Sequence, residues 1–473
     1  MTAFDPLYTA AEMSRAEEGY PGYPETIEEL MDAAGSAVAE QLMRRFPAAR
    51  AITAVCGGGA NGGDGRIAAQ RLRDAGRRVR VVDVKAALDE HDLGSPDVVL
   101  DALFGTGFHG TPRAEAAELI DAMNGLGVPI VAVDVPSGVD ASTGEIGGAA
   151  VRATLTVTFH APKVGLHVAP GRFHAGDMIV VDIGLEHLAT EHALVREEIL
   201  AAVPARSVAD TKYTAGSVLV VGGSPGLTGA PSLAAEAAFR ADAGYVLVAA
   251  PASTLPVLEV RLLEAVKRPL PEDDEGRLTA DAAEMVEELA LRARAVAVGP
   301  GLGRSDGTRA LVRTLLERLE LPIVVDADGL FGLDPVERDA PTLLTPHAGE
   351  LGRLIGEESS WVDGHRLQAL RRAVERFRCA VLLKGADTLV ADAEGPTLVV
   401  ALGTPALATA GTGDVLTGVA AAFLAKGLEP RLAAAAAAVA QQRAASHAPE
   451  QRGLVASDVV RLLPRVLGSV QPS

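Results

Sequence analysis

The chain has 473 residues, 48% apolar and 22% charged, a composition that supports sizeable cores in two or three globular domains and excludes a disordered polymer. Lys and Arg number 43 against 62 for Asp and Glu, and the net charge of −19 argues against non-specific nucleic-acid or anionic-membrane binding, though a helix N-terminus can still hold a phosphorylated ligand. Aromatic residues are only 3%, too few for base-stacking platforms, and two distant cysteines, Cys56 and Cys379, build neither a disulfide framework nor a cysteine zinc site, so a reducing cytoplasm is the expected setting.

Residues 1–19 carry Asp5, Glu12, Glu17 and Glu18 without an apolar centre, unlike a signal peptide. Strands are expected at 51–56, 79–84, 98–103, 129–134 and 153–159, with helical patterns at 66–75 and 114–124 between them and a last strand at 180–185. A polar, partly helical stretch at 186–210 marks a break. A second series of strands follows at 217–221, 245–250, 295–299, 323–326, 342–344 and 380–383, then an apolar helix at 415–425 and an alanine run, 433–438, that reads as a tightly packed helix. The stretches 416–425 and 432–440 fall short of the roughly 18 apolar residues a membrane span needs. Strand–helix alternation implies parallel sheets covered on both faces, hence an α/β protein of two domains, 1–192 and 193–473.

In the first half, the strand 51–56 runs into Gly57-Gly58-Gly59-Ala60-Asn61-Gly62-Gly63-Asp64-Gly65 and then a helix, an arrangement that can cradle phosphate. The string also satisfies GxGxxG with Asp83 about 20 residues on, a weak dinucleotide signal. Asp64 reads either as a helix N-cap or as part of a site. Two later strand ends supply context: Asp101 precedes a second glycine turn, and Asp134 precedes Val135-Pro136-Ser137-Gly138. Strand C-termini of a parallel sheet share one edge, so Asn61, Asp101, Asp134 and Ser137 are expected to converge there.

The strings ANGGDG, DALFGTG, DVPSGVDASTG and TFHAPKVGLHVAPG together resemble the NAD(P)H-hydrate epimerase domain, across about residues 1–186. The resemblance implies a Rossmann-like three-layer α/β/α sandwich. It implies that Ala60, Asn61, Gly62, Gly63 and Asp64, with the turn Gly105, Thr106, Gly107, Phe108, His109, Gly110 and Thr111, bind a hydrated nicotinamide nucleotide (NADHX or NADPHX). It further implies a potassium ion on Asn61, Asp101 and Ser137, oxygen ligands suited to a hard cation. Asp134 would contact the reacting ring, with Lys163 as its electrostatic partner. The family usually has asparagine where this chain has Ala60, so one side-chain contact is lost. The substrate's hydroxyl sits on a ring carbon next to nitrogen, which inverts by losing and regaining water while a carboxylate, here Asp134, shuttles the proton.

In the second half, Gly411-Thr412-Gly413-Asp414 immediately precedes the apolar helix. Backbone N–H groups there form a hole for phosphate oxygens, and Asp414 either takes a proton from a hydroxyl nucleophile or merely favours the helix dipole. His347 stands at a strand end and reads as structural or as part of a site. The set VGGSPGLTGAP, GPGLG, DADGL, LTPHAGE, LKGADT and AGTGDVLTG resembles the ADP-dependent NAD(P)H-hydrate dehydratase branch of the ribokinase-like superfamily, over about 195–467. That resemblance implies a ribokinase-like α/β/α domain. Lys384, Gly385, Ala386, Asp387, Thr388 and Gly413 would bind the adenine nucleotide. Ala230, Gly301, Gly303, His347 and Asp414 would contact the hydrate, with Mg²⁺ arriving on the phosphates. Gln441-Gln442-Arg443 replaces a His-Gly pair common in the family. The expected function is repair of hydrated cofactor: R and S epimers interconvert in the N-terminal half, and the S form is dehydrated at the expense of ADP, giving AMP and phosphate, in the C-terminal half. A family-like homo-oligomer is expected, with neither nucleic acid nor membrane as partner. Three alternatives stand beside this: a kinase for a stable alcohol, an N-terminal half without turnover, and a hydride-transferring dehydrogenase resting only on GxGxxG and Asp83.

Overall fold

A computed structural model describes residues 3–84 and 92–469. Two compact units divide the chain: Pro6–His192 with Asp363–Arg366, and Ala193–Val362 and Leu367–Ser473 with Met1–Asp5. No helix among the described residues is long and apolar enough to cross a membrane.

The strands in chain order begin with β1 (Phe4–Leu7), β2 (Ala51–Cys56), β3 (Arg78–Asp83), β4 (Val98–Ala102), β5 (Ile130–Val133), β6 (Leu155–Phe159) and β7 (Asp177–Val181). The N-terminal unit's sheet runs β3-β2-β4-β5-β6-β7, all parallel. β4 and β5 are buried along their whole length, because helices cover both faces and leave no side for alternating polar residues. One apolar core gathers Val38, Leu42, Ala68 and Leu72 from helices Ile27–Arg45 and Ala60–Asp74; the other, on the opposite face, gathers Leu119, Ile120 and Met123 from helix Ala114–Gly125. Counting from β2, the order is 2-1-3-4-5-6, and its direction reverses between β2 and β4. In doubly wound sheets the ligand crevice lies at that reversal, outside the strand C-termini.

The remaining strands are β8 (His192–Val195), β9 (Ser217–Val221), β10 (Tyr245–Pro251), β11 (Val266–Leu270), β12 (Ala295–Val298), β13 (Ile323–Val325), β14 (Thr342–Leu344), β15 (Ala380–Leu383), β16 (Thr388–Ala391) and β17 (Thr397–Val400). They form a sheet ordered β1-β8-β17-β16-β15-β14-β13-β12-β9-β10-β11. From β15 to β11 the pairs are parallel, whereas β15, β16 and β17 pair antiparallel. The reversal here lies between β9 and β12. Helices Gly229–Arg240, Thr412–Ala425, Pro430–Ser446 and Ala456–Gly468 cover one face, their alanines buried in a single large core.

Three expectations need correction. The glycine loop is shorter than expected: helix Ala60–Asp74 begins at N-cap Gly59, so Asp64 lies in its second turn and is not a cap. Gly62 permits this early start, because a Cβ there would lie 1.9 Å from the Gly57 carbonyl oxygen. The last parallel strand of the first unit is Asp177–Val181, earlier than 180–185. β1, β8, β11, β16 and β17 were not anticipated; β1 and β11 are the two edge strands of their sheet, partly exposed and so without an unbroken apolar run.

Candidate functional sites

In the N-terminal unit, the loops after β2, β4, β5 and β6 bring one polar cluster to the sheet edge. Asp101, the penultimate residue of β4, is fully buried. Its carboxylate accepts from Ser137 Oγ at 2.6 Å, Ser137 N at 2.8 Å and Leu103 N at 3.3 Å. Burial pushes its pKa up to about 6 against those hydrogen bonds. Ser137 Oγ also accepts from the Phe104 N–H at 2.9 Å. Asn61, in the first turn of its helix, lies against Gly105, and its Nδ2 is buried without a hydrogen-bond partner among the described residues. Ser137 thus joins Asp101 to the Phe104 backbone, and Asn61 lies against the next residue, Gly105, while the turn 105–111 carries Phe108 stacked on Phe104 at 4.7 Å and Thr111 bonded to the Gly147 carbonyl at 3.0 Å. Gly107, His109 and Gly110 of that turn are exposed.

Asp134 follows β5 with φ of 65°, a left-handed conformation that Asp tolerates better than bulkier residues. Its Oδ1 is 2.7 Å from Lys163 Nζ and accepts from Thr158 Oγ1 at 3.0 Å. Lys163 is fully buried and also donates to Thr158 Oγ1 at 2.8 Å and the Phe159 carbonyl at 2.7 Å. The chain start is bonded beside it: Tyr8 N donates to the Pro162 carbonyl and Val164 N to the Tyr8 carbonyl, both at 3.0 Å. This anchors helix Ala10–Glu18 near the site and brings in Glu17, whose pKa is raised by burial and then by Asp134. Asp64, buried, has its pKa raised to about 8 by burial and then by the charges of Asp134 and Glu17. Asp83 pairs with Arg66, so this acid is engaged by a side chain of its own unit.

In the C-terminal unit, helix Thr412–Ala425 packs on helix Gly229–Arg240 and on β9, β12 and β13. Its first turn therefore reaches the β9/β12 reversal although it follows an antiparallel strand. Asp326, just past β13 and 1% exposed, is 2.7 Å from Lys384 Nζ through Oδ1 and accepts from Thr417 Oγ1 at 2.6 Å through Oδ2. A Cβ at Gly413 would lie 3.3 Å from Lys384 Nζ and 3.8 Å from Asp326 Oδ2, so the bare glycine seats the helix start on the ion pair. Burial and then Asp326 raise the Asp414 carboxyl to about 7; Lys384 opposes this, and Asp328 and Glu350 add to it. Burial disfavours the Lys384 ammonium, yet Asp326, Glu350 and Asp414 hold its pKa above the usual lysine value.

The other residues singled out in this half fall into two groups. Gly301 lies against Ala230, Ser224 Oγ donates to the Gly301 carbonyl at 3.0 Å, and Gly303 N donates to Asp328 Oδ2 at 3.0 Å, so Ala230, Gly301 and Gly303 meet across the β9/β12 crevice. His347 caps helix Ala348–Ile355: its Nδ1 accepts from Gly349 N at 3.0 Å, while its ring edge remains more than half exposed. Gly385 and Ala386 are exposed in the turn between β15 and β16, whereas Asp387 and Thr388 are buried. A cavity of about 870 Å³ lined by Arg338, Cys379 and Asp392 lies at the opposite edge of β14 and β15 and contains none of these residues. Sequence reasoning placed Asp326 at a strand end within DADGL without giving it a role, and passed over Thr417, Thr158 and Glu17. Asp326 obeys the strand-end rule that singled out Asp101 and Asp134; Glu17, contributed by a distant helix, has no local signal.

Comparison with known proteins divides the chain at the same motifs. The family model described as NAD(P)H-hydrate dehydratase matches residues 218–465, and that described as YjeF-related protein N-terminus matches 27–92 and 82–165. Curated proteins called bifunctional NAD(P)H-hydrate repair enzyme are similar over nearly the whole length. That of Salinibacter ruber is 39% identical over 98% of this chain and 96% of its own, and that of Moorella thermoacetica 37% identical over 98% and 97%. Among solved structures, an ADP/ATP-dependent NAD(P)H-hydrate dehydratase of Bacillus subtilis co-crystallised with ATP and Mg²⁺ is 27% identical, covers 58% of this chain and 97% of its own, and aligns with a TM-score of 0.52. A ribokinase-like superfamily protein of Enterococcus faecalis, 21% identical over 60% of this chain and 98% of its own with a TM-score of 0.50, shares the fold.

Proposed function

This chain belongs to the family of bifunctional NAD(P)H-hydrate repair enzymes, with an epimerase unit and a dehydratase unit, and we propose how its residues divide that work. The dehydratase reading is carried by one observation: Asp414 stands beside the Lys384–Asp326 pair at the start of helix Thr412–Ala425. Hydroxide leaves poorly, and phosphate leaves well. Asp414 takes the proton of the hydrate hydroxyl, so that this oxygen accepts a phosphoryl group from ADP. The first N–H groups of the helix and the Lys384 ammonium offset the charge of the migrating group. The ring nitrogen then expels phosphate and the nicotinamide double bond returns. Lys384, Gly385, Ala386, Asp387, Thr388 and Gly413 hold the nucleotide, and Ala230, Gly301, Gly303 and His347 border the hydrate. Mg²⁺ is carried on the nucleotide phosphates, where it neutralises charge.

In the epimerase unit, Asp134, held by Lys163, takes part in proton transfer at the hydroxyl that leaves and returns. The loop Ala60–Asp64 and the turn Gly105–Thr111 hold the nucleotide. Asn61, Asp101 and Ser137 suit a potassium ion: all three carry a side-chain oxygen, and a cation would offset the buried Asp101 charge. A homo-oligomer and a cytoplasmic setting belong to the same proposal; both cysteines are free thiols, as a reducing compartment keeps them. The test supplies hydrated NADH with ADP and follows NADH, AMP and phosphate. Asp414→Ala abolishes their appearance and leaves epimerisation intact. A stable phosphorylated product, or retained dehydration in the variant, overturns the assignment.

A further inference from the structure

Among the described residues, Asp64 has no counter-ion in the epimerase cluster. It is 8% exposed, and its Oδ1 is buried without a hydrogen-bond partner. The nearby cation, Lys163, is already committed to Asp134 Oδ1, Thr158 Oγ1 and the Phe159 carbonyl, which together use the three donors of an ammonium. Burial, and then the charges of Asp134 from the β5 loop and Glu17 from helix Ala10–Glu18, both acidic, raise its carboxyl to about 8. Asp64 is therefore an O–H donor at neutral pH, at the last position of the expected nucleotide loop, near a carboxylate that is ion-paired. Two carboxyl groups in different environments commonly divide acid and base roles in this way.

We propose that Asp64 is a second catalytic residue of the epimerisation, the acid that protonates the departing hydroxyl, while Lys163-paired Asp134 is the base for the returning water. This rests on the epimerase reading of the N-terminal unit. In the forward half the ring nitrogen's lone pair forms a C=N bond as the C–O bond breaks, and the Asp64 proton converts the leaving hydroxyl to water. In the second half a water oxygen bonds the same carbon from the other face, the C=N pair returns to nitrogen, and the surplus proton passes to Asp134. Asp64 ends ionised and Asp134 protonated. Exchange with solvent, or one turnover in the reverse direction, restores the starting state, and no oxidant or further reactant is consumed.

The experiment uses the full chain with purified S-NADH hydrate and no ADP, and reads initial formation of the R epimer by chiral chromatography. Asp64→Asn lowers kcat on the order of 100-fold or more with little change in KM, while ADP-dependent dehydration of the S form proceeds at the wild-type rate. Wild-type epimerisation falls as pH rises through about 8, where Asp64 loses its proton, and the variant lacks that limb. Wild-type kcat in Asp64→Asn, or a loss confined to KM, overturns the role. Should the variant not fold, a wild-type profile flat through about 8 overturns it independently. A wild-type chain that dehydrates but never epimerises strikes the reading of the unit itself rather than the choice of Asp64.

Discussion

Gly418→Ala tests how the dehydratase site is held in place. Gly418 lies one turn after Asp414 in helix Thr412–Ala425 and faces the backbone of helix Gly229–Arg240. A Cβ at this position would sit 2.1 Å from the Ala234 carbonyl oxygen, 2.8 Å from its carbon and 3.0 Å from its Cα. Ordinary contact begins at 3.4 Å, so the helices must part by 3.4 − 2.1 = 1.3 Å. The obstructing atoms are backbone, so no rotamer change relieves them, and overpacking of this kind costs roughly 1–3 kcal/mol. For a unit of this size that lowers the thermal midpoint by about 2–4 °C per kcal/mol. Asp414 and Gly413 move with the helix, and a displacement of about 1 Å at a reacting group costs on the order of 100-fold in rate. Differential scanning calorimetry and coupled ADP-dependent dehydration measure the two effects, with epimerisation, housed in the other unit, as the internal control. Wild-type dehydration together with an unshifted midpoint would refute the argument that this helix contact positions Asp414.

Asp414 must be ionised to accept a proton, and its carboxyl is raised to about 7, so dehydration kcat/KM drops tenfold per unit as pH falls below about 7 and levels off above it; a limb near the ordinary carboxylate value of about 4 would assign the base elsewhere. Lys163→Met leaves Asp134 buried without its cation, which costs roughly 3–5 kcal/mol by urea unfolding of the N-terminal unit and removes epimerisation, while S-hydrate dehydration persists. A variant as stable as the parent would show that the pair contributes no stability. Replacing potassium with tetramethylammonium suppresses epimerisation and not dehydration, and Ser137→Ala raises the potassium concentration needed for half-maximal rate on the order of tenfold; equal rates in both salts would discount the cation.

Local signals carried much of this protein. β2, β9, β14 and β15 fall where short apolar runs end in glycine or a polar turn, because strands covered on both faces need unbroken apolar sequence. Asp101 and Asp134 were legible for the same reason: a parallel sheet puts every strand C-terminus on one edge, so the position of a carboxylate at the end of an apolar run already assigns it to that edge. Asp414 was legible because small residues before an apolar helix mark its N-terminus.

Pairing and packing were decided elsewhere. Lys163 and Asp134 follow different strands, and the buried ammonium is held against the carboxylate by Thr158 and the Phe159 carbonyl of β6, which pairs with β5. Helix Thr412–Ala425 follows an antiparallel strand, so no strand-end rule sends it to the β9/β12 crevice; close packing on helix Gly229–Arg240 does. The raised carboxyls of Asp64 and Asp414 likewise arise from burial and from like charges delivered by other elements. Residue type and spacing set what each side chain can do, but proton affinity depends on the water that neighbours exclude and the charges they bring, and those come from the whole fold.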